Sequence, residues 1–200
     1  MKGSFEMDIK KEIKEIFGEW LEKINDEKLR ESVVLTFENA IKKGGYKSAE
    51  DLKKIPFSLL TDCKGISFVE HTLAVTYGAF YLAEAQKTYF KPMPYTVNYD
   101  RLIAGGLLHD VGKIIEIEPD GKGGFRKSKL GKLLRHPLSG LLVAKEAGVP
   151  DEILNIIGCH AKEGEGAPKV IETVLIHQAD YATFDPLTMI EKGTLIGVEK

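Results

Sequence analysis

The chain has 200 residues, 43% of them hydrophobic and 29% charged, with a net charge of −2. That length suffices for one sizeable core, and the near-neutral balance excludes a general attraction to nucleic acid or anionic membrane, though not a local phosphate site. Two scattered cysteines, Cys63 and Cys159, exclude a disulfide framework, and with no signal-peptide stretch at Met1–Glu6 and no run of membrane-spanning length, a reducing, cytoplasmic location is expected.

Residues 8–24 predict an amphipathic helix, because Ile9, Ile13, Ile16, Phe17, Trp20, Leu21 and Ile24 recur at helical spacing among Lys and Glu. Such a stripe ordinarily faces a core; a partner-binding or dimerisation helix is the other reading. Asp26 reads as the N-cap of a second helix through Lys42, buried through Leu29, Val33, Phe37, Ala40 and Ile41 and ended at Gly44-Gly45. Ser48 and Asp51 have the spacing of a short capping box, and Pro56 limits that helix.

From Phe68 to Ala85 the helical pattern has few polar residues on any face, which predicts a helix buried within the domain. Pro92 and Pro94 put residues 88–98 in a surface loop. Residues 101–109 are apolar enough for strand or helix. Ala and Gly are poor strand formers, so a buried helix is expected, with Gly105-Gly106 admitting a close neighbour. Asp120–Gly124 is too glycine-rich for a helix and reads as a hairpin-like turn, either plain surface or a flap over a substrate. Ser128–Arg135 reads as a short basic helical piece, Pro137 as the first turn of a helix to Ala147, and Asp151 as the cap of the next, to His160. The last helix begins at Pro168 or Lys169 and is expected to stop at Phe184-Asp185-Pro186.

All five histidines (His71, His109, His136, His160 and His177) fall near the end of a predicted helix or inside a largely apolar one. One such histidine is ordinarily a hydrogen-bonded core residue. Several, beside Asp110 and Asp180 in apolar surroundings, call for charge partners or a metal. Imidazole with carboxylate suits Mn, Fe, Co, Ni or Zn, and Mg where oxygen ligands dominate. His109 and Asp110 are adjacent, so a helix would turn them about 100° apart. Both reach one ion only beyond the helix end, which fits a break at Gly112. Lys113 is either a point charge for a phosphate oxygen or a solvated lysine at a helix C-terminus.

The set His71, His109-Asp110 and Asp180 resembles the signature of the HD-domain metal-dependent phosphohydrolase superfamily, and His-Asp-Val-Gly-Lys at 109–113 is similar to its HDIGK form. His136-Pro137 followed by Gly140 looks like the His-Pro-x-x-Gly element of members with more than one metal, and His160 like their further histidine. The resemblance covers residues 66–186. It implies an all-α helical bundle, with residues 1–60 as added N-terminal helices packed on the core, 61–190 as the HD domain and 191–200 as a tail. It implies His71, His109, Asp110 and Asp180 around a first divalent ion, and Asp110 bridging to a second held by His136 and His160. One or two ions of Mn, Fe, Ni, Co, Zn or Mg are expected, with Asp110 and Lys113 catalytic. His177, three residues before Asp180, is left as a core residue, a substrate contact or a donor supporting a ligand.

The implied activity is hydrolysis of a phosphomonoester or phosphodiester, in a nucleotide or short nucleic acid, with a homodimer allowed. Two other classes share the fold: an inactive regulatory or binding module, and a di-iron oxygenase. The chain departs from the cyclic-dinucleotide branch, whose Gly-Tyr-Pro element it lacks, and it has Cys159-His160 where two-metal members often carry paired histidines. No added nucleic-acid-binding module is visible.

Overall fold

The computed structural model describes residues 2–197. Helix α1 (Lys2–Leu21) ends one turn earlier than its apolar stripe, yet Ile24 beyond it is still buried, because the chain continues through tight turns from Gly18 to Ile24. Asp26 caps α2 (Glu27–Gly44) by accepting the Leu29 N–H at 3.1 Å, and Gly45 closes it with φ +78°, a backbone state only glycine takes without strain. Phe17 of α1 stacks on Phe37 of α2 with ring centroids 4.6 Å apart.

The expected capping box at Ser48 does not form. Ser48 Oγ accepts from the Glu50 N–H and donates to Glu12, while the Asp51 carboxylate faces the Lys47 N–H, so Ala49–Lys53 winds as a 3-10 turn. The capping box lies later, where Ser67 and Glu70 bond each other's backbone N–H at the start of α3 (Phe68–Tyr89). Burial of α3 is one-sided rather than complete. Its inner face packs on α4 (Tyr99–Leu108) and α8 (Ile171–Lys192), while Tyr77 and Tyr81 are 55% and 51% exposed.

Asn98 caps α4, and Gly105 and Gly106 admit neighbours as expected. A Cβ on Gly105 would stand 2.4 Å from Ile156 Cδ1, and one on Gly106 2.9 Å from Thr76 Oγ1. After α4 the chain turns through His109–Gly112 into the one-turn helix α5 (Lys113–Glu116). A two-stranded antiparallel hairpin follows, β1 (Ile117–Pro119) with β2 (Phe125–Lys127), pairing Ile117 with Lys127 and Pro119 with Phe125. Asp120 Oδ1 holds its turn by accepting from the N–H groups of Lys122 and Gly124.

The basic piece Ser128–Arg135 is a run of turns, not a helix. Only isolated bonds such as Leu134 N–H to Leu130 C=O form there, and Leu133 is 76% exposed, leaving it no apolar face to bury. Helix α6 (His136–Glu146) carries Pro137 in its first turn. Helix α7 (Asp151–Cys159) is preceded by Pro150, so Asp151 lies in the first turn and ion-pairs with Lys145 at 2.8 Å rather than capping. Helix α8 does not stop at Pro186. It runs through to Lys192, its distal end tied down where Thr61 Oγ1 donates to Glu191 at 2.6 Å, and Gly193 closes it with φ +67°. The missing proline N–H removes one bond from the ladder, and the helix continues on both sides of it.

Buried apolar side chains from Ile9 to Ala179 form one contiguous core, to which α1 and α2 contribute Ile13, Phe17, Val33 and Phe37. α2 packs against α4, α5 and α6. Among the described residues no helix is long and apolar enough to cross a membrane. Cys63 and Cys159 are free thiols.

Candidate metal centre

Six polar side chains from five helices or their ends converge inside this core. His71 projects from the first turn of α3, His109 is the C-cap of α4, and Asp110 follows it. His136 opens α6, His160 is the C-cap of α7, and Asp180 lies within α8. Among the described residues two groups offer ligand atoms within 4.8 Å of one another: His71, His109, Asp110 and Asp180; and Asp110, His136 and His160. The adjacent His109 and Asp110 do meet beyond a helix end. Gly112, though, is not there to permit an unusual turn, since its φ is −64°. It is required by proximity: a Cβ would stand 2.0 Å from the His136 carbonyl oxygen.

Asp110 is fully buried and divides its two oxygens between the groups. Oδ2 lies 3.1 Å from His71 Nε2 and 3.4 Å from His109 Nε2. Oδ1 lies 3.2 Å from His136 Nε2 and 3.6 Å from His160 Nε2. Asp180 Oδ1 completes the first group, 3.2 Å from His71 Nε2.

The opposite ring nitrogens fix which atom carries the proton. His109 Nδ1 donates to the Gly106 carbonyl at 2.7 Å and His160 Nδ1 to the Ile157 carbonyl at 3.0 Å. His71 Nδ1 lies 3.1 Å from Thr183 Oγ1, whose own proton goes to the Asp180 carbonyl, so the hydroxyl accepts from the ring. His136 Nδ1 faces Glu116 Oε2 at 3.3 Å. A carbonyl or carboxylate only accepts, so each neutral imidazole carries its proton on Nδ1 and turns a lone pair from Nε2 inward.

Lone pairs without protons are what a cation needs. Asp110 Oδ1 and Oδ2, His136 Nε2 and His160 Nε2 are buried and have no hydrogen-bond partner. Buried polar atoms are otherwise nearly always satisfied. Nitrogen and carboxylate donors with no thiolate suit one or two borderline divalent ions, so the residues present fit the group.

Charge bears this out. Burial alone would raise the Asp110 carboxyl, but Lys113, His109 and His136 outweigh it and hold it well below the usual carboxylate range. Burial would likewise raise Asp180, and the His71 bond brings it far down. Burial pushes His136 below the ordinary histidine range despite the Asp110 charge, which favours the neutral, ligating form. Lys113 Nζ stands 2.5 Å from Asp110 Oδ2, an ion pair without hydrogen-bond alignment, and 5.5 Å from the Phe57 ring centroid.

The centre opens to solvent through a cleft of about 400 Å³. Lys113, Lys127, Arg135 and Lys162 bring positive charge to its lining, and Leu59, Leu60, Tyr181 and Phe184 an apolar wall. A larger groove, about 770 Å³ between α1, α2 and Ala147-Gly148, holds none of these histidines or aspartates.

His177 belongs to neither group. Its Nδ1 donates to the His160 carbonyl at 2.5 Å and its ring lies against Tyr181, centroids 4.4 Å apart. Three neighbours of the centre were not singled out from sequence. Phe57 stacks on His71 at 4.3 Å, Thr183 sets the His71 tautomer, and Glu116 faces His136. Only Glu116 had a signal, a lone acid between Ile115 and Ile117.

The model described as HD domain matches residues 68–185, more than half of the chain. Over 84 residues the chain is 34% identical to a ribonuclease Y of Pseudothermotoga lettingae, covering 42% of this chain and 14% of that protein. It is 36% identical over 75 residues to the ribonuclease Y of Desulforudis audaxviator, covering 38% and 12%. Over 165 residues, 80% of this chain and 65% of the relative, it is 27% identical to a dihydroneopterin 2',3'-cyclic phosphate phosphodiesterase of Methanocaldococcus jannaschii. The chain thus spans about 14% of the length of the first ribonuclease Y relative. No solved structure matches it.

Proposed function

The chain belongs to the HD-domain family of metal-dependent phosphohydrolases, and on that premise we propose that it hydrolyses a phosphodiester bond in a nucleotide-sized substrate or a short nucleic acid. The observation that carries this reading is the division of Asp110, one oxygen toward each ligand group, with His136 of one group and Asp180 of the other reaching the lining of a cleft that also presents Lys113. The relatives' names, a ribonuclease and a cyclic phosphate phosphodiesterase, support a diester over a monoester.

In this reading His71, His109, Asp110 and Asp180 hold one divalent ion, and Asp110, His136 and His160 a second. When bound, such ions lower the pKa of a water and withdraw charge from phosphoryl oxygens. Lys113 brings a compact ammonium to a non-bridging oxygen and stabilises the charge that develops there. Lys162, with Lys113, presents positive charge to an anion in the cleft, Lys127 and Arg135 being paired with Glu116, while Leu59, Leu60 and Phe184 offer an apolar surface to a base or similar ring. A cleft of about 400 Å³ suits a group of nucleotide size, and a longer strand would leave through its open mouth.

The test is chelated protein reloaded with Mn²⁺ and assayed on 2',3'-cyclic nucleotides, 3',5'-cyclic nucleotides, nucleoside monophosphates and short RNA. Diester cleavage should return with the metal. Lys113→Ala should lower kcat by about a hundredfold with metal content unchanged. Folded, metal-loaded protein inert on the whole panel, or full kcat in K113A, would overturn the reading.

A further inference from the structure

Glu116 is a buried carboxylate at the end of α5, 5% exposed. An acid is rarely buried unless both of its oxygens are met. Its Oε2 accepts the His136 backbone N–H at 2.7 Å and faces Nδ1 of the same residue at 3.3 Å. Its Oε1 faces Lys127 Nζ at 3.4 Å and Arg135 Nε at 3.5 Å. One oxygen therefore grips the backbone and ring of a single residue, and the other collects the balancing cations. The other imidazoles of the two groups are held differently: His109 and His160 by carbonyls, His71 by a hydroxyl. Only His136 has an anion at its outer nitrogen, and its inner nitrogen lies 3.2 Å from the unpartnered Asp110 Oδ1.

We propose that Glu116 is a positioning residue for the second ion. It holds His136 in the Nδ1–H tautomer, orients the ring and makes Nε2 a stronger donor, so that it sets the affinity of the Asp110–His136–His160 group while leaving the other group alone. This rests on the metal-binding reading of both groups given above. A carboxylate serving only to join α5 to α6 would need the backbone N–H and balancing cations; the contact to the ring Nδ1 goes beyond that and is what a positioned ligand requires.

The experiment compares full-length wild type, Glu116→Gln and Glu116→Ala. Mn²⁺ is titrated into chelated protein with calorimetry and metal analysis, and the His136 tautomer is read by long-range ¹⁵N NMR on the metal-free protein. Wild type should bind two ions and show His136 as Nδ1–H. E116A should weaken one ion by about ten- to a hundredfold, spare the other and lose the single tautomer. E116Q, whose amide oxygen still accepts from Nδ1, should fall between. Folded E116A with both affinities and the tautomer unchanged overturns the proposal, as does equal weakening of both ions. If E116A does not fold, E116Q decides, and a wild-type affinity for the second ion in it overturns the proposal. Wild-type protein that binds no ion refutes instead the reading of the groups themselves.

Discussion

The two ligand groups share Asp110 and differ in how the fold holds the rest. His71 and Asp180 sit inside α3 and α8, two 22-residue helices, and His71 is buttressed by Phe57 and Thr183. His136 and His160 sit at helix ends, one opening α6 and the other capping α7. A residue within a helix inherits its position from hydrogen bonds on both sides. A residue at an end depends on what caps it. In the first group only His109 sits at a helix end, held by the Gly106 carbonyl, whereas both imidazoles of the second depend on such individual contacts, Glu116 to His136 and Ile157 to His160. Substitutions outside the ligands should therefore perturb the second group more readily.

The largest effect should erase the contrast. Asp110→Ala removes the one residue common to both groups, so metal analysis should show both ions lost together, with turnover down by on the order of a thousandfold or more. One ion retained at full affinity would mean that the groups are not coupled through Asp110. A smaller change should isolate the first group. Thr183→Val keeps the shape and removes the acceptor at His71 Nδ1; calorimetry should show one ion weakened by about tenfold and the other untouched. Equal weakening of both would undo the division.

The smallest effect concerns acid stability of chelated protein. His136 lies below the ordinary histidine range through burial, so between its depressed pKa and about 6.5 the unfolded chain binds more protons than the folded one. Stability should fall as pH drops through that window. Asp110 and Asp180 are held below their ordinary range, so their contribution should persist until pH falls below about 4. Denaturant midpoints against pH should show His136→Gln flattening the upper step and leaving the lower one. An unaltered upper step would mean that His136 is not the group titrating there.

The candidate ligand residues were legible because imidazole and carboxylate are costly to bury in apolar helices unless charge partners or a metal meet them; Asp110 and Asp180 stood out for that reason. Their supports were not. Thr183 and Phe57 are ordinary helix and core residues whose roles arise only when α8 and the segment before α3 meet. The helices were legible from periodicity, their ends less so. Pro186 looked like a stop, but α8 continues to Lys192, and its far end meets Thr61 through Glu191, a contact that spans 130 residues. Gly112 was noticed for a bend and is needed for closeness, a distinction that depends on where α6 lies.

The six converging side chains lie between residues 71 and 180 and come from five helices or their ends. Only the tertiary fold holds all six together, so an ion ligated by both groups would favour the native state. Thermodynamic linkage then makes the melting temperature a function of metal concentration, with about 2.7 kcal/mol gained at a hundred times the dissociation constant. Such a gain is a sizeable share of a typical domain's whole stability. An ion bound there would act on folding as well as on chemistry, and a chain destabilised by a substitution far from the centre should be rescued by added metal.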